Sequence, residues 1–206
     1  NVGSLENIIY EIQKLKKPIN FIFSSSCTVY GQADSMPINE GFELKKAESP
    51  YGQSKRKCEE ILENFHKTGH NFKNITLRYF NPIGAHPTSL IGELPIDIPE
   101  NLVPYITQTA VGKRDYLTVF GDDYDTDDGT CVRDYIHIMD LAEVHITCLE
   151  KLMNIKDDSF FNVYNVGTGK GTSVLELINL FENVNQLKLN YKIGKRRDGD
   201  VVIAYA

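Results

Sequence analysis

Several things are missing from this 206-residue chain, and each absence closes off a class of function. No run of about 18 apolar residues occurs and no charged-then-apolar leader opens the sequence, which predicts neither a membrane span nor a signal peptide. Cations are in deficit: 22 Lys and Arg stand against 28 Asp and Glu, a net charge of −6, so most of the surface repels a phosphate backbone and nucleic-acid binding is disfavoured. Cys27, Cys58, Cys131 and Cys148 form no Cys-x-x-Cys pair and have no paired histidines at zinc spacing. They read as reduced thiols of a cytoplasmic protein, with no metal site. Internal repeats and low-complexity tracts are absent as well.

What is present is 41% hydrophobic and 24% charged residues, enough for one sizeable core. A domain of this size buries roughly 70% of the surface its unfolded chain exposes and needs no disulfide or metal staple. Leu5, Ile8, Ile9, Ile12 and Leu15 fall at helical spacing behind Ser4, which predicts an amphipathic helix over residues 4–16 stopped by Pro18. Phe21-Ile22-Phe23 predicts a buried strand running into Ser24-Ser25-Ser26. Ser49-Pro50 caps a second helix, whose apolar face is Cys58, Ile61, Leu62 and Phe65. A strand over residues 75–79 ends in a turn at Asn81-Pro82-Ile83-Gly84, and residues 85–100 read as an irregular loop. Helices follow near 101–113 and 140–153, capped by Asn101 and Asp140. A strand at 161–166, a capping box Ser173-x-x-Glu176 and a strand at 189–193 complete the series.

Alternating strands and helices imply a mainly parallel sheet covered on both faces, with ligands gathering at the carboxyl ends of the strands. Three serines at a strand end fit that rule. The chain opens on a helix, without the strand, glycine loop and helix that begin a dinucleotide-binding sheet. It therefore reads as the carboxyl-side part of a larger protein.

One local pattern carries chemistry. Tyr51-Gly52-Gln53-Ser54-Lys55 sets a phenol and an ammonium four apart on one helix face, and Ser26 lies 25 residues earlier at the strand end. A phenol with a pKa near 10 is a poor base at neutral pH. An ammonium about 5 Å away at an effective dielectric near 20 favours the phenolate by about 3 kcal/mol, about two pKa units. The serine would hydrogen-bond the reacting hydroxyl and hold it in line.

Phe23-Ser24-Ser25-Ser26-Cys27-Thr28-Val29-Tyr30-Gly31, Ser49-Pro50-Tyr51-Gly52-Gln53-Ser54-Lys55, Leu77-Arg78-Tyr79-Phe80-Asn81-Pro82 and Gly129-Thr130-Cys131-Val132-Arg133-Asp134-Tyr135-Ile136-His137 closely resemble the UDP-glucose 4-epimerase family of extended short-chain dehydrogenases/reductases. The resemblance runs in order through the whole chain and leaves out that family's amino-terminal glycine-rich segment, which holds the pyrophosphate of NAD. It implies an α/β fold: the C-terminal part of a Rossmann-like, doubly wound parallel sheet over residues 1–84, and a smaller UDP-sugar-binding lobe over 85–206 that returns to the sheet around 130–170.

The same resemblance implies roles. Tyr51 matches the catalytic acid/base, Lys55 its partner on the nicotinamide ribose, and Ser26 the hydroxyl that positions the sugar. Ser24, Tyr79 and Phe80 would lie beside NAD. Arg133 and Arg197 match diphosphate ligands, and Asp200 matches an acceptor from the uridine ribose. Cys27, Thr28, Tyr79, Phe80, Asn81, Asn101 and Leu102 match phosphate and sugar contacts, and Thr118, Val119 and Phe120 the segment against the uracil. The reaction implied is interconversion of UDP-glucose and UDP-galactose, an isomerase step of galactose metabolism. Ala204 stands where the family carries either a bulky Tyr or a small residue, and a small one leaves room for an N-acetyl group, hence for UDP-GlcNAc and UDP-GalNAc. Cys27 and Thr28 replace the acidic pair of relatives that eliminate water. The family also implies a homodimer through helices 4–16 and 50–67, completed by the missing amino-terminal segment. Two other readings stay open: an epimerase of another UDP-sugar, such as UDP-xylose or UDP-glucuronate, and a cofactor-free sugar-nucleotide-binding or subunit module.

Three tempting patterns fail. Gly167-x-Gly169-x-Gly171 lacks dinucleotide and P-loop spacing and reads as a tight turn. Asp123, Asp125 and Asp127 mimic a calcium loop, but Gly129 comes one place late. His66 and His70 have no third ligand.

Overall fold

A computed structural model describes residues 1–15 and 17–206. Helix α1 (Val2–Gln13) leads into strand β1 (Ile19–Ser26), a 3-10 turn (Cys27–Tyr30) and helix α2 (Pro50–Lys67). Strands β2 (Phe72–Tyr79) and β3 (Asn81–Ile83), helix α3 (Leu102–Ala110), strands β4 (Leu117–Phe120) and β5 (Val132–His137) and helix α4 (Ile138–Asn154) follow. Strands β6 (Phe160–Val166) and β7 (Gly171–Ser173), helix α5 (Val174–Asn185) and strands β8 (Tyr191–Gly194) and β9 (Ile203–Ala204) complete the chain.

The fold is α/β with mainly parallel strands. β1, β2 and β6 form a parallel sheet in that order, with Ser26 level with Tyr79 and Tyr79 level with Val166. β2 is buried along nearly its whole length because both faces are covered. On one face α1 and α2 bring Leu5, Ile9, Cys58, Leu62 and Phe65 against Phe72. On the other, α4 packs Leu141, Cys148 and Leu152 against Ile75 and Leu77. A second sheet joins β5 to β3, β7 and β9, with only the β5–β7 pairing antiparallel. The smaller lobe closes around Ile106, Leu117, Val119, Ile178 and Leu189, with β4 and β8 parallel.

Several boundaries differ from the sequence expectation. The first helix runs Val2–Gln13 rather than 4–16, position 16 lies outside the described residues, and Ser4 sits inside the first turn. Its N-cap position is Asn1, whose amide donates to Ser54 Oγ (3.0 Å) instead of capping. Asp140 is not the cap of α4. His137 is, its ring nitrogen accepting from Met139 N at 3.2 Å, while Asp140 lies in the first turn, where a negative charge suits the helix dipole. Asn101 occupies the N-cap position of α3, which ends at Ala110 rather than 113, but it gives no cap bond because its amide is spent on Glu93 Oε1 (2.9 Å). Residues 81–83 are a short strand and not a turn, since β5 offers them a parallel partner. The last predicted strand begins at Tyr191, not 189, because Leu189 is drawn into the lobe core. Two caps form as expected: Ser49 Oγ accepts from Gly52 N, and Ser173 with Glu176 forms the full reciprocal box.

Candidate active site

Three consecutive strand-end serines meet one stripe of α2. Tyr51 and Lys55 stand one turn apart on that stripe, and Ser49 with Pro50 fixes where the helix starts. Gly52 lets the first turn come close to the preceding loop: a Cβ there would sit 3.0 Å from Thr28 O and 3.1 Å from Ala47 Cβ. Ser26 Oγ accepts from Thr28 N (3.3 Å) and Thr28 Oγ1 (3.0 Å), which leaves its own proton to be donated into the cleft.

Tyr51 is half exposed and faces that hydroxyl. Burial pushes its phenol above the usual range, the Cys27 thiol adds to the rise, and Ser26 pulls the other way. The lowering expected from Lys55 does not appear in the chain by itself. Lys55 Nζ donates to Ser24 O at 2.7 Å, stands 5.5 Å from the Tyr51 ring centroid, and is itself shifted down by burial. Burial pushes the Cys27 thiol up to about 11. Tyr79 Oη reaches Ser24 Oγ at 2.7 Å and shares a hydrogen bond of 2.6 Å with His145 Nε2, whose Nδ1 lies 2.8 Å from Leu141 O.

A cleft of about 600 Å³ opens at this strand end. It is lined by Ser26, Cys27, Thr28, Tyr51, Tyr79, Phe80, Asn81, Asn101, Arg133, Asp200 and Ala204. An adjoining recess of about 140 Å³ adds Leu102, Phe120 and Arg197. There Asp200 lies between two guanidinium groups: Arg197 Nη2 donates to Asp200 Oδ1 at 2.9 Å, and Arg133 Nη2 stands 3.7 Å from the same atom. The two guanidinium groups offer the paired donors that a diphosphate takes, with Asp200 and Glu100 as the carboxylates beside them. Four expected residues lie off these walls. Lys55 donates to Ser24 O and the Ser24 hydroxyl accepts from Tyr79, Val119 is buried in the lobe core, and Thr118 pairs with Lys192 between β4 and β8.

Sequence reasoning missed a buried polar group behind the cleft. Glu59, Arg78, Tyr30 and Ser25 are all at most 7% exposed, and each is hydrogen-bonded to another of the four. Glu59 falls four residues after Lys55 and eight after Tyr51, and that spacing was the available signal. His145 and Asp134 were missed too. Asp134 is fully buried, and its carboxylate accepts from Thr168 N, Thr168 Oγ1, Gly169 N and Ala206 N. The Gly167–Gly171 turn thus spends on Asp134 the backbone donors that a phosphate loop would offer, and a Cβ at Gly167 would collide with that carboxylate.

For a dinucleotide, the residues present fit one end only. Lys55 uses one of its three donors, beside the half-exposed Tyr51 and the Ser24–Tyr79 pair, as a ribose and nicotinamide would require. No pyrophosphate cradle stands among the described residues.

The sequence profile of the NAD dependent epimerase/dehydratase family matches residues 1–167. The chain is 48% identical over 197 residues to the UDP-glucose 4-epimerase of Pasteurella multocida, which covers 95% of this chain and 57% of that protein. It is 46% identical to the human UDP-glucose 4-epimerase, over 96% of this chain and 56% of the relative. Among solved structures, UDP-glucose 4-epimerase from Bifidobacterium longum in complex with NAD+ and UDP superposes with a TM-score of 0.86 at 45% identity, over 91% of this chain and 55% of that one. The chain spans little more than half the length of these relatives. The family match, the Rossmann-like sheet and the cleft at its carboxyl edge agree, and the chain belongs to the NAD dependent epimerase/dehydratase family.

Proposed function

We propose that this chain carries the reacting tyrosine and the sugar-nucleotide site of a UDP-glucose 4-epimerase, interconverting UDP-glucose and UDP-galactose. The observation that carries the reading is one cleft lined by Ser26 and Tyr51 together with Arg133 and Asp200. The names of the relatives, and the NAD+ and UDP bound in one of them, support it.

In this reading Arg133 and Arg197 exchange Asp200 for the diphosphate, and Asp200 turns to the uridine ribose. Asn81, Asn101 and Leu102 border the phosphates and sugar, and Phe120 borders the base. Ser26 donates to the 4-hydroxyl of the hexose, and Tyr51 takes that hydroxyl's proton and later returns it. Lys55, Ser24, Tyr79 and Phe80 hold the nicotinamide end of NAD. When bound, NAD supplies a reversible hydride acceptor for C4 and a positive charge near the phenol. To present either face of its C4 to that acceptor, a bound sugar would need a pocket wider than its ring, and the cleft of about 600 Å³ offers the room.

Ala204 lines that pocket and favours a second substrate class, UDP-sugars with a 2-N-acetyl group. Four free thiols suit a reducing cytoplasm. A homodimer would use the outer faces of α1 and α2, where Ile8 and Tyr10 are exposed, since Leu5 and Ile9 are committed to the core.

The test is Tyr51→Phe in the complete gene product, purified with its cofactor and assayed for UDP-galactose formation. Losing the phenol should lower kcat by about 10²- to 10⁴-fold with cofactor still bound. Turnover equal to wild type would reject the reading.

A further inference from the structure

Glu59 does more than anchor a helix. With Tyr51 and Lys55 it completes a stripe of three residues four apart on α2, and each faces its own strand-end serine. Tyr51 lies by Ser26, Lys55 holds Ser24 O, and Glu59 Oε1 accepts from Ser25 Oγ at 2.5 Å. Beneath the serines, Arg78 on β2 is the register partner of Ser25. Arg78 Nη2 donates to Glu59 Oε2 at 2.6 Å, and its Nε reaches the same carboxylate at 3.1 Å. The other end of the guanidinium donates to Tyr30 Oη (2.9 Å), in the turn that carries Cys27 and Thr28. Tyr30 Oη donates in turn to Asn165 Oδ1 (2.7 Å), and Asn165 Nδ2 donates to Ile38 O (2.9 Å), a residue of the cleft wall.

A buried ion pair of this kind is weak evidence for stability, because desolvation offsets most of its attraction. What distinguishes this one is where its bonds end. Each leads to a segment that bears on the cleft: the serine triplet, the reactive face of α2, the 27–30 turn and Ile38. A slip of β1 by one residue against α2 would break the Ser25–Glu59 bond and turn Ser26 away from Tyr51.

We propose that the Glu59–Arg78 pair is a positioning device, which through Ser25 and Tyr30 holds the Ser26 hydroxyl and the Tyr51 phenol in line for proton transfer. The proposal rests on the epimerase reading above. It assigns to Glu59, Arg78 and Tyr30 no contact with substrate or cofactor, and Ser25, which borders the cleft, spends its hydroxyl on Glu59 rather than on a ligand.

The experiment uses the complete, cofactor-loaded enzyme with Ser25→Ala, Tyr30→Phe and, as reference, Tyr51→Phe. Each of the first two removes one hydroxyl and leaves the ion pair intact. Misalignment should lower kcat by about 10- to 100-fold. KM for the UDP-sugar should stay within roughly twofold, since binding contacts are untouched. A purely structural role would lower the melting temperature and leave kcat per folded enzyme unchanged. Wild-type kcat in both variants, with Tyr51→Phe inactive, overturns the positioning role and leaves the epimerase reading standing. An active Tyr51→Phe overturns both.

Discussion

Asp134→Asn isolates the carboxylate that ties the 168–169 turn to the backbone of Ala206 beyond β9. The native carboxylate divides its work: Oδ1 accepts from Thr168 N at 2.8 Å and Thr168 Oγ1 at 2.6 Å, and Oδ2 from Gly169 N at 3.0 Å and Ala206 N at 3.1 Å. An asparagine keeps one acceptor and turns an amide NH₂ toward the other two N–H donors, those of Gly169 and Ala206. Each lost hydrogen bond to the charged acceptor costs about 1.5–3 kcal/mol, so the variant should lose about 3 kcal/mol or somewhat more. For a chain of this size each kcal/mol moves the melting temperature by about 2–4 °C, which gives a fall of roughly 6–12 °C in a far-ultraviolet circular dichroism melt. The loss has a functional side, because Ala206 N is two residues beyond Ala204 and Arg133 adjoins Asp134. UDP affinity measured by calorimetry well below the melting point should therefore fall as β9 loosens. A melting temperature within about 2 °C of wild type would refute the reasoning, since it would mean that the two donors find other partners at little cost.

Two further outcomes follow from the same cleft. Ala204→Tyr should fill the space that a 2-N-acetyl group needs, lowering turnover of UDP-GlcNAc by more than about tenfold while UDP-glucose stays within a few-fold; equal losses on both donors would reject the steric account. The Cys27 thiol, raised from 9.0 to about 11 mainly by burial, should resist iodoacetamide at neutral pH in the native chain and react once it is unfolded. A raised folded-state value makes its contribution to stability fully present below about pH 9 and lost as pH rises through about 11, so urea midpoints should fall across that window and fall less in Cys27→Ser.

Element type was legible wherever periodicity and capping chemistry agreed. The Ser49-Pro50 start of α2 and the Ser173–Glu176 box of α5 are local, because one side chain satisfies one nearby backbone group. Element ends were less legible, because tertiary partners decide them. Asn101 has the chemistry of a cap and spends it on Glu93, and Asn81–Ile83 becomes a strand only because β5 lies alongside. Motifs found the serines, Tyr51 and Lys55, whereas Glu59, Arg78 and Asp134 stayed hidden. Buried charges announce themselves only through partners distant in sequence, and Glu59 meets Arg78 across 19 residues and two elements.

The sign of the shift at Tyr51 was the least legible quantity. Spacing puts an ammonium near the phenol, and Coulomb's law alone then predicts a more acidic group. In the folded chain Lys55 is turned to Ser24 O, and burial of the phenol outweighs whatever charge reaches it. Aim and acidity therefore have separate sources. Ser26, Gly52 and the start of α2 provide the aim within this chain. The acidity requires further positive charge at the cleft, and in the epimerase reading proposed above a cationic nicotinamide beside Tyr51 would supply it.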